Sequence, residues 1–173
     1  METTTSPAQK LTQAAIDLLR DERGVHAETA IAGTARMAGT FLFESFGFTI
    51  TDAKPGQLVL SDVANEQGPR LMNILGSVLD QQGVVVDPLR IADDTPPKHM
   101  PRLEFLQTYR LLSPRFHEIA TESGLSLTEA ADFAAVATGI LIVECRDILD
   151  PTMAVGIALF GFVEGTKTYP GDL

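Results

Sequence analysis

The chain has 173 residues, with 23 Asp and Glu against 13 Lys and Arg, one Cys, no Trp and a formal net charge of −10. That length suits one domain burying roughly 70 % of its unfolded surface. A composition 45 % hydrophobic and 21 % charged excludes disordered, collagen-like and low-complexity architectures.

Residues 1–6 read as a disordered lead-in without the positive and apolar regions of a secretory signal. Ser6-Pro7 is an N-cap followed by a proline at the first helical position. With Leu11, Ala14, Ala15, Leu18 and Leu19 as an apolar stripe and Gly24 as a stop, it predicts a helix over 7–23. Val25 to Phe46 has no proline and few charges, so a long buried helix is expected there. Arg36, Thr40 and Glu44 form a polar line at i, i+4 and i+8. Its small residues, Ala27 through Gly39, would let a neighbouring backbone approach closely.

After Gly47 the pattern shifts. Phe48, Ile50, Leu58, Val59 and Leu60 flank a Lys54-Pro55-Gly56 turn, which suggests a short extended excursion or a hairpin. Ser61-Asp62 caps a short helix, and Gly68-Pro69 interrupts it before a second helix over 69–82. Residues 83–101 carry Asp87-Pro88 and Pro96-Pro97 and read as a long connection, with a strap across the helices preferred to a mobile lid. A helix is expected from Pro101 to Leu112, kinked or continued at Pro114 as far as Glu122. Ser126-Leu127-Thr128-Glu129 is a capping box opening a helix to about Leu149. Asp150-Pro151 starts the last helix, to about Gly165, and residues 168–173 form a tail leaving the fold.

These elements define an all-α chain: a single-domain bundle of six or seven helices over 7–167, with a long proline-rich connection and room for one short hairpin. Glu28 to Phe43 and Glu129 to Glu144 have matching patterns and are expected to be its two central helices.

The acidic balance argues against nucleic acid, because phosphate contacts require a basic face. Only residues 98–118 lean basic, through Lys98, Arg102, Arg110 and Arg115. The longest apolar tracts, Phe133 to Val143 and Pro151 to Val163, fall short of the ~18–20 residues that cross a bilayer. Cys145 stands alone, which excludes an intrachain disulfide and paired-cysteine zinc sites and suits a reducing cytoplasm. No nucleophile elbow, Walker loop or dinucleotide motif is present.

No metal is expected. Neither His26, His99 nor His117 follows a Glu by three residues, the spacing of di-iron bundles, and His26 and Glu28 would diverge on a helix. His99 is expected in water and Cys145 in the core. Asp62, Asn65 and Glu66 form the richest polar patch and are the ligand-binding candidates. Glu144, at the end of Ile140-Leu141-Ile142-Val143, is expected in the core as the partner of Arg36.

The reading is of a non-enzymatic cytoplasmic helical protein that self-associates and serves as a protein-binding or structural module. A homodimer is the simplest closed form, with Phe41, Phe46, Phe48, Phe160 and Phe162 as interface residues. One alternative is an enzyme or small-ligand binder with a pocket between the two central helices, for which Glu144, His26 and Arg36 are the catalytic candidates. Another is an acidic antagonist or chaperone of a basic protein. No cofactor, nucleic acid or membrane partner is expected.

Overall fold

Every residue from Ala27 to Phe43 is buried, so the second helix is the axis around which the others assemble. The computed structural model describes residues 5–172; the expected lead-in lies outside the described residues as far as position 4. Within them the chain is all-helical: α1 (Pro7–Leu19), α2 (Ala27–Ser45), α3 (Asp62–Gln67), α4 (Pro69–Gln81), α5 (Phe105–Glu122), α6 (Leu127–Cys145) and α7 (Pro151–Lys167), with a single 3₁₀ turn at Pro97–His99.

Local chemistry sets most boundaries. The Ser6 hydroxyl accepts from Gln9 N (3.2 Å) while the Gln9 side chain accepts from Ser6 N (3.0 Å), opening α1 as a capping box behind Pro7. Ser126 and Glu129 do the same for α6. At α7, Asp150 accepts from Thr152 N at 2.9 Å beside Pro151. Helix α1 ends four residues earlier than expected. Asp21 and Gly24 exchange both backbone hydrogen bonds, and the Asp21 carboxylate takes Arg23 N at 2.8 Å, offering the backbone a turn in place of the helix.

Helix α5 starts at Phe105 instead of Pro101, because residues 102 and 103 are bound sideways to α2. Thr29 Oγ1 accepts from Arg102 N (2.9 Å), and the Leu103 carbonyl accepts from Arg36 (2.7 Å). Pro114 lies inside α5 without ending it; Pro114 and Arg110, whose carbonyl loses its partner, are both on the exposed side, where water substitutes. Helix α6 stops at Cys145, after which the chain turns through hydrogen bonds from Ile148 N and Leu149 N to the Cys145 carbonyl.

The expected hairpin over 48–60 is not formed. Its Lys54-Pro55-Gly56 turn exists, closed by Gln57 N on the Lys54 carbonyl (2.9 Å), but the segment pairs with the chain end instead of with itself. Val59 N donates to Lys167 O and Gly56 N to Tyr169 O, both at 2.7 Å, and Tyr169 N returns a bond to Gln57 O. The segment expected to leave the fold therefore docks on it, with Thr168 and Pro170 buried.

Helix α2 makes its most extensive contact with α7, then with α6; α5 covers a further side, α1 bridges α5 and α6, and α4 backs α6. The core of Phe41, Leu42, Leu71, Leu112, Phe116, Ile142 and Phe162 is essentially sealed, each such side chain contributing about 1.5–3 kcal/mol. Among the described residues no single helix is long and apolar enough to cross a membrane.

The connection over 83–101 is a strap fastened at both ends. Thr152 Oγ1 accepts from Asp87 N (3.0 Å), Arg90 pairs with Asp150 (3.2 Å), and His99 Nδ1 meets Glu28 Oε1 at 2.6 Å. Between them it crosses α7 at Gly156, where an added Cβ would lie 2.7 Å from the Ile91 carbonyl oxygen.

Candidate functional site

Helices α2 and α7 approach through small residues, and the strap spans the face beside their seam. Between these three pieces lies a cleft of about 720 Å³, within the usual range of small-ligand sites. Ile91, Met100, Met153, Ile157 and Phe160 form its apolar walls; Arg36 and Glu164 stand in it from α2 and α7, with Arg90, Asp93, Asp94 and Glu104 towards the rim.

Arg36 is the anchor. Its side chain is 8 % exposed, and it donates through Nε to Glu164 Oε1 (2.5 Å) and through Nη1 to Leu103 O (2.7 Å) and Thr108 Oγ1 (3.0 Å). Thr108 is itself fixed by donating to the Glu104 carbonyl. Three of the five guanidinium N–H groups are thereby engaged, and the residue is held in one orientation. Among the described residues Nη2 has no hydrogen bond, nor has Glu164 Oε2, and the Glu164 side chain is 23 % exposed.

The expected Arg36 partner was Glu144, and the structure corrects this. Leu141 and Ile142 face the core, but the helical turn carries Glu144 out to the surface, where it borders an open groove with Lys10, Gln13, Asp17, Gln82 and Arg115. That groove is larger, about 850 Å³, but holds no buried charge. The three catalytic candidates are therefore not brought together as one constellation: Arg36 meets Glu164, Glu144 makes no ion pair among the described residues, and His26 belongs to a different cluster.

In that cluster His26 caps α2 from outside the helix, which frees it from helical divergence and brings Nε2 to 3.1 Å from Glu28 Oε2. Glu28 also receives His99, so His99 is a strap anchor and not a solvated side chain. Burial works against the Glu28 carboxylate, but His99, the backbone N–H and His26 outweigh it and hold its pKa below the usual value. Burial lowers the His26 pKa, with Glu28 opposing and Arg102 and His99 assisting.

A third set joins Glu44, His117 and Ser113. His117 Nε2 lies 2.7 Å from Glu44 Oε2, and Nδ1 is within reach of both the Ser113 carbonyl (2.8 Å) and its hydroxyl (3.0 Å). Burial disfavours the imidazolium, yet Glu44 and the Ser113 carbonyl raise the His117 pKa overall. Both ring nitrogens face oxygens that can only accept, the Ser113 carbonyl and the Glu44 carboxylate, so Nδ1 is a donor and does not activate the Ser113 hydroxyl, which is fully buried. The arrangement resembles a nucleophile relay in composition but is an ion pair in chemistry. Burial together with Glu144 and Glu28 pushes the Cys145 thiol up, which suits a half-buried structural cysteine. Among the described residues no group of three or more His, Cys, Asp or Glu is placed to hold a metal ion.

Asp62, Asn65 and Glu66 are exposed on the short α3 and border none of the four cavities described for the chain. Of the aromatic interface candidates, Phe41 and Phe162 are core residues and are unavailable as surface. Phe46 and Phe48 pack on each other, with Phe48 also edge-on to Phe43 at 5.7 Å. Phe160 alone stands well out, 67 % exposed on the cleft wall. Glu164 was missed by sequence reasoning. Its signal is a lone carboxylate between Gly161 and Gly165 in an otherwise apolar helix, a spacing that lets α7 lie against the small-residue face of α2.

Compared with known proteins, the chain matches no family model, and neither the curated proteins nor the solved structures include a significant match.

Proposed function

We propose that the chain is a non-catalytic binding protein whose ligand occupies the cleft between α2, α7 and the strap. The observation that carries this reading is the Arg36–Glu164 pair, buried at one end and open at the other, set in apolar walls of ligand size. An arginine clamped at three N–H groups and lining the cleft with its carboxylate partner offers a ligand a polar end fixed in place. The lining combines apolar walls with the hydrogen-bonding groups of Arg36, Arg90, Thr95 and four carboxylates, the composition of a small-ligand site. The five methionines make a built-in reporter. Met100 and Met153 line the cleft, whereas Met37 is sealed in the core and Met72 sits on α4. Adding a small-molecule extract to methyl-labelled protein should shift Met100 and Met153 and leave Met37 and Met72 in place; unmoved cleft methyls would count against the reading.

A second reading, self-association as a homodimer, is favoured by one observation. Phe160 and Val163, 67 % and 42 % exposed, continue Met153 as an apolar stripe along the outer face of α7. Such a stripe suits the centre of an isologous contact. Phe160→Glu would dissociate that dimer with helical content intact.

A further inference from the structure

The strap is clasped at its C-terminal end by two histidines and a threonine, and their hydrogen bonds fix where the protons lie. Thr29 Oγ1 accepts from Arg102 N at 2.9 Å and lies 2.7 Å from His26 Nδ1. Thr29 is buried, and among the described residues its hydroxyl has no other hydrogen-bond partner. Arg102 N can only donate, so the one hydroxyl proton goes to His26 Nδ1. The ring proton then sits on Nε2, 3.1 Å from Glu28 Oε2, and His26 is neutral while the strap is fastened.

We propose that this clasp is a proton-operated catch: protonation of His26 releases the strap at Arg102, and with it the cleft wall supplied by Met100, Pro101 and Leu103. A proton added to Nδ1 makes that nitrogen a second donor towards Thr29 Oγ1. The hydroxyl then accepts from both sides, and its own hydrogen is buried without an acceptor until Arg102 N withdraws. Burial is the largest influence on His26 and lowers its pKa from the ordinary 6.5; Glu28 of α2 opposes, Arg102 and His99 assist, and Asp21 of the preceding turn opposes. The fastened strap is therefore favoured in full above pH 6.5 and loses that advantage as the pH falls below it. Glu28 does not titrate in this window, because His99, the backbone N–H and His26 together outweigh burial and keep its pKa below the usual value. His99 Nδ1 donates to Glu28 Oε1 whether or not its other nitrogen is protonated. On the α6 side, burial with Glu144 and Glu28 pushes the Cys145 thiol up, so it stays neutral. Release of the clasp stands on these contacts alone; that it opens a binding site rests on the function proposed above.

Amide exchange of the full chain reads the catch directly, since the Arg102 amide is the donor that lets go. Its protection, taken against the unstructured-chain rate at each pH, should fall at least about threefold between about pH 7.5 and about pH 5.5. The Asp87 amide, which donates to Thr152 at the other end of the strap, should keep its protection. His26→Gln should make Arg102 protection independent of pH, whatever its level, whereas His99→Gln, which retains a donor towards Glu28, should preserve the dependence. In wild type the Met100 methyl should shift with the midpoint of the His26 ring proton, a readout that needs no variant. A flat Arg102 profile in wild type, a dependence that survives in His26→Gln, or an equal loss at Asp87 would overturn the catch. Cleft methyls unmoved by a small-molecule extract would overturn the binding site and leave the catch in place.

Discussion

Gly39 of α2 and Gly165 of α7 meet backbone to backbone. A Cβ added at Gly39 would lie 2.5 Å from the Phe162 carbonyl oxygen and 2.7 Å from Thr166 N, and one at Gly165 would run into the Arg36 carbonyl. This contact holds α7 close enough for Glu164 to reach Arg36. Gly165→Ala would gain about 1 kcal/mol in helix propensity but lose more to forced separation, for a net destabilisation of about 1–3 kcal/mol. Gly76→Ala is the control: on α4 nothing lies within 4 Å of the added Cβ, and stability should rise by about 0.5–1 kcal/mol. Denaturant melts of both variants check the contrast.

Removing Arg36 has a larger consequence than neutralising its partner. Arg36→Met leaves the Leu103 carbonyl and Thr108 without their donor and Glu164 without its cation, and should cost about 2–4 kcal/mol. Glu164→Gln retains an acceptor for Nε and should cost about 1 kcal/mol. Equal losses in urea unfolding would show that Arg36 is not the organising residue.

His117 gives a stability term with a defined sign. Its folded-state pKa is raised by Glu44 and the Ser113 carbonyl, so its contribution is fully present below the unfolded value of about 6.5 and is lost as pH rises through the folded value. The stability advantage of wild type over His117→Gln should therefore be greatest near pH 5.5 and shrink towards pH 8.5. A difference that grows with pH would reverse the assignment of the Glu44–His117 pair as ionic.

The strap is fastened near its C-terminal end by the Glu28–His99 bond and by Arg102 N on Thr29. Glu28→Gln should weaken the first of these without touching α7. Amide exchange should accelerate in residues 98–103 while the α7 amides stay protected; uniform acceleration would instead make Glu28 a global stability residue.

Much of this architecture is legible in the chain. Ser126-Leu127-Thr128-Glu129, Gly68-Pro69 and Asp150-Pro151 mark helix starts through chemistry contained within a few residues, and the small-residue run of α2 correctly announces a close neighbour. What was illegible depends on distant partners. The Leu58–Val59 segment has strand character, but its partner is Lys167–Tyr169 at the other end of the chain. Leu103 resists joining α5 because Arg36, 67 residues earlier, holds its carbonyl. The Arg36 partner turned on helical phase: Glu144 follows a buried run but rotates outward, whereas Glu164 inherits the face set by Gly161 and Gly165.

Native mass spectrometry of the gently purified chain against its denatured mass tests most directly whether the face around Phe160 is one wall of a ligand cleft. Wild type should carry a stoichiometric small-molecule adduct that is lost from Arg36→Met. A bare dimer that dissociates in Phe160→Glu would contradict it and assign that face to self-association.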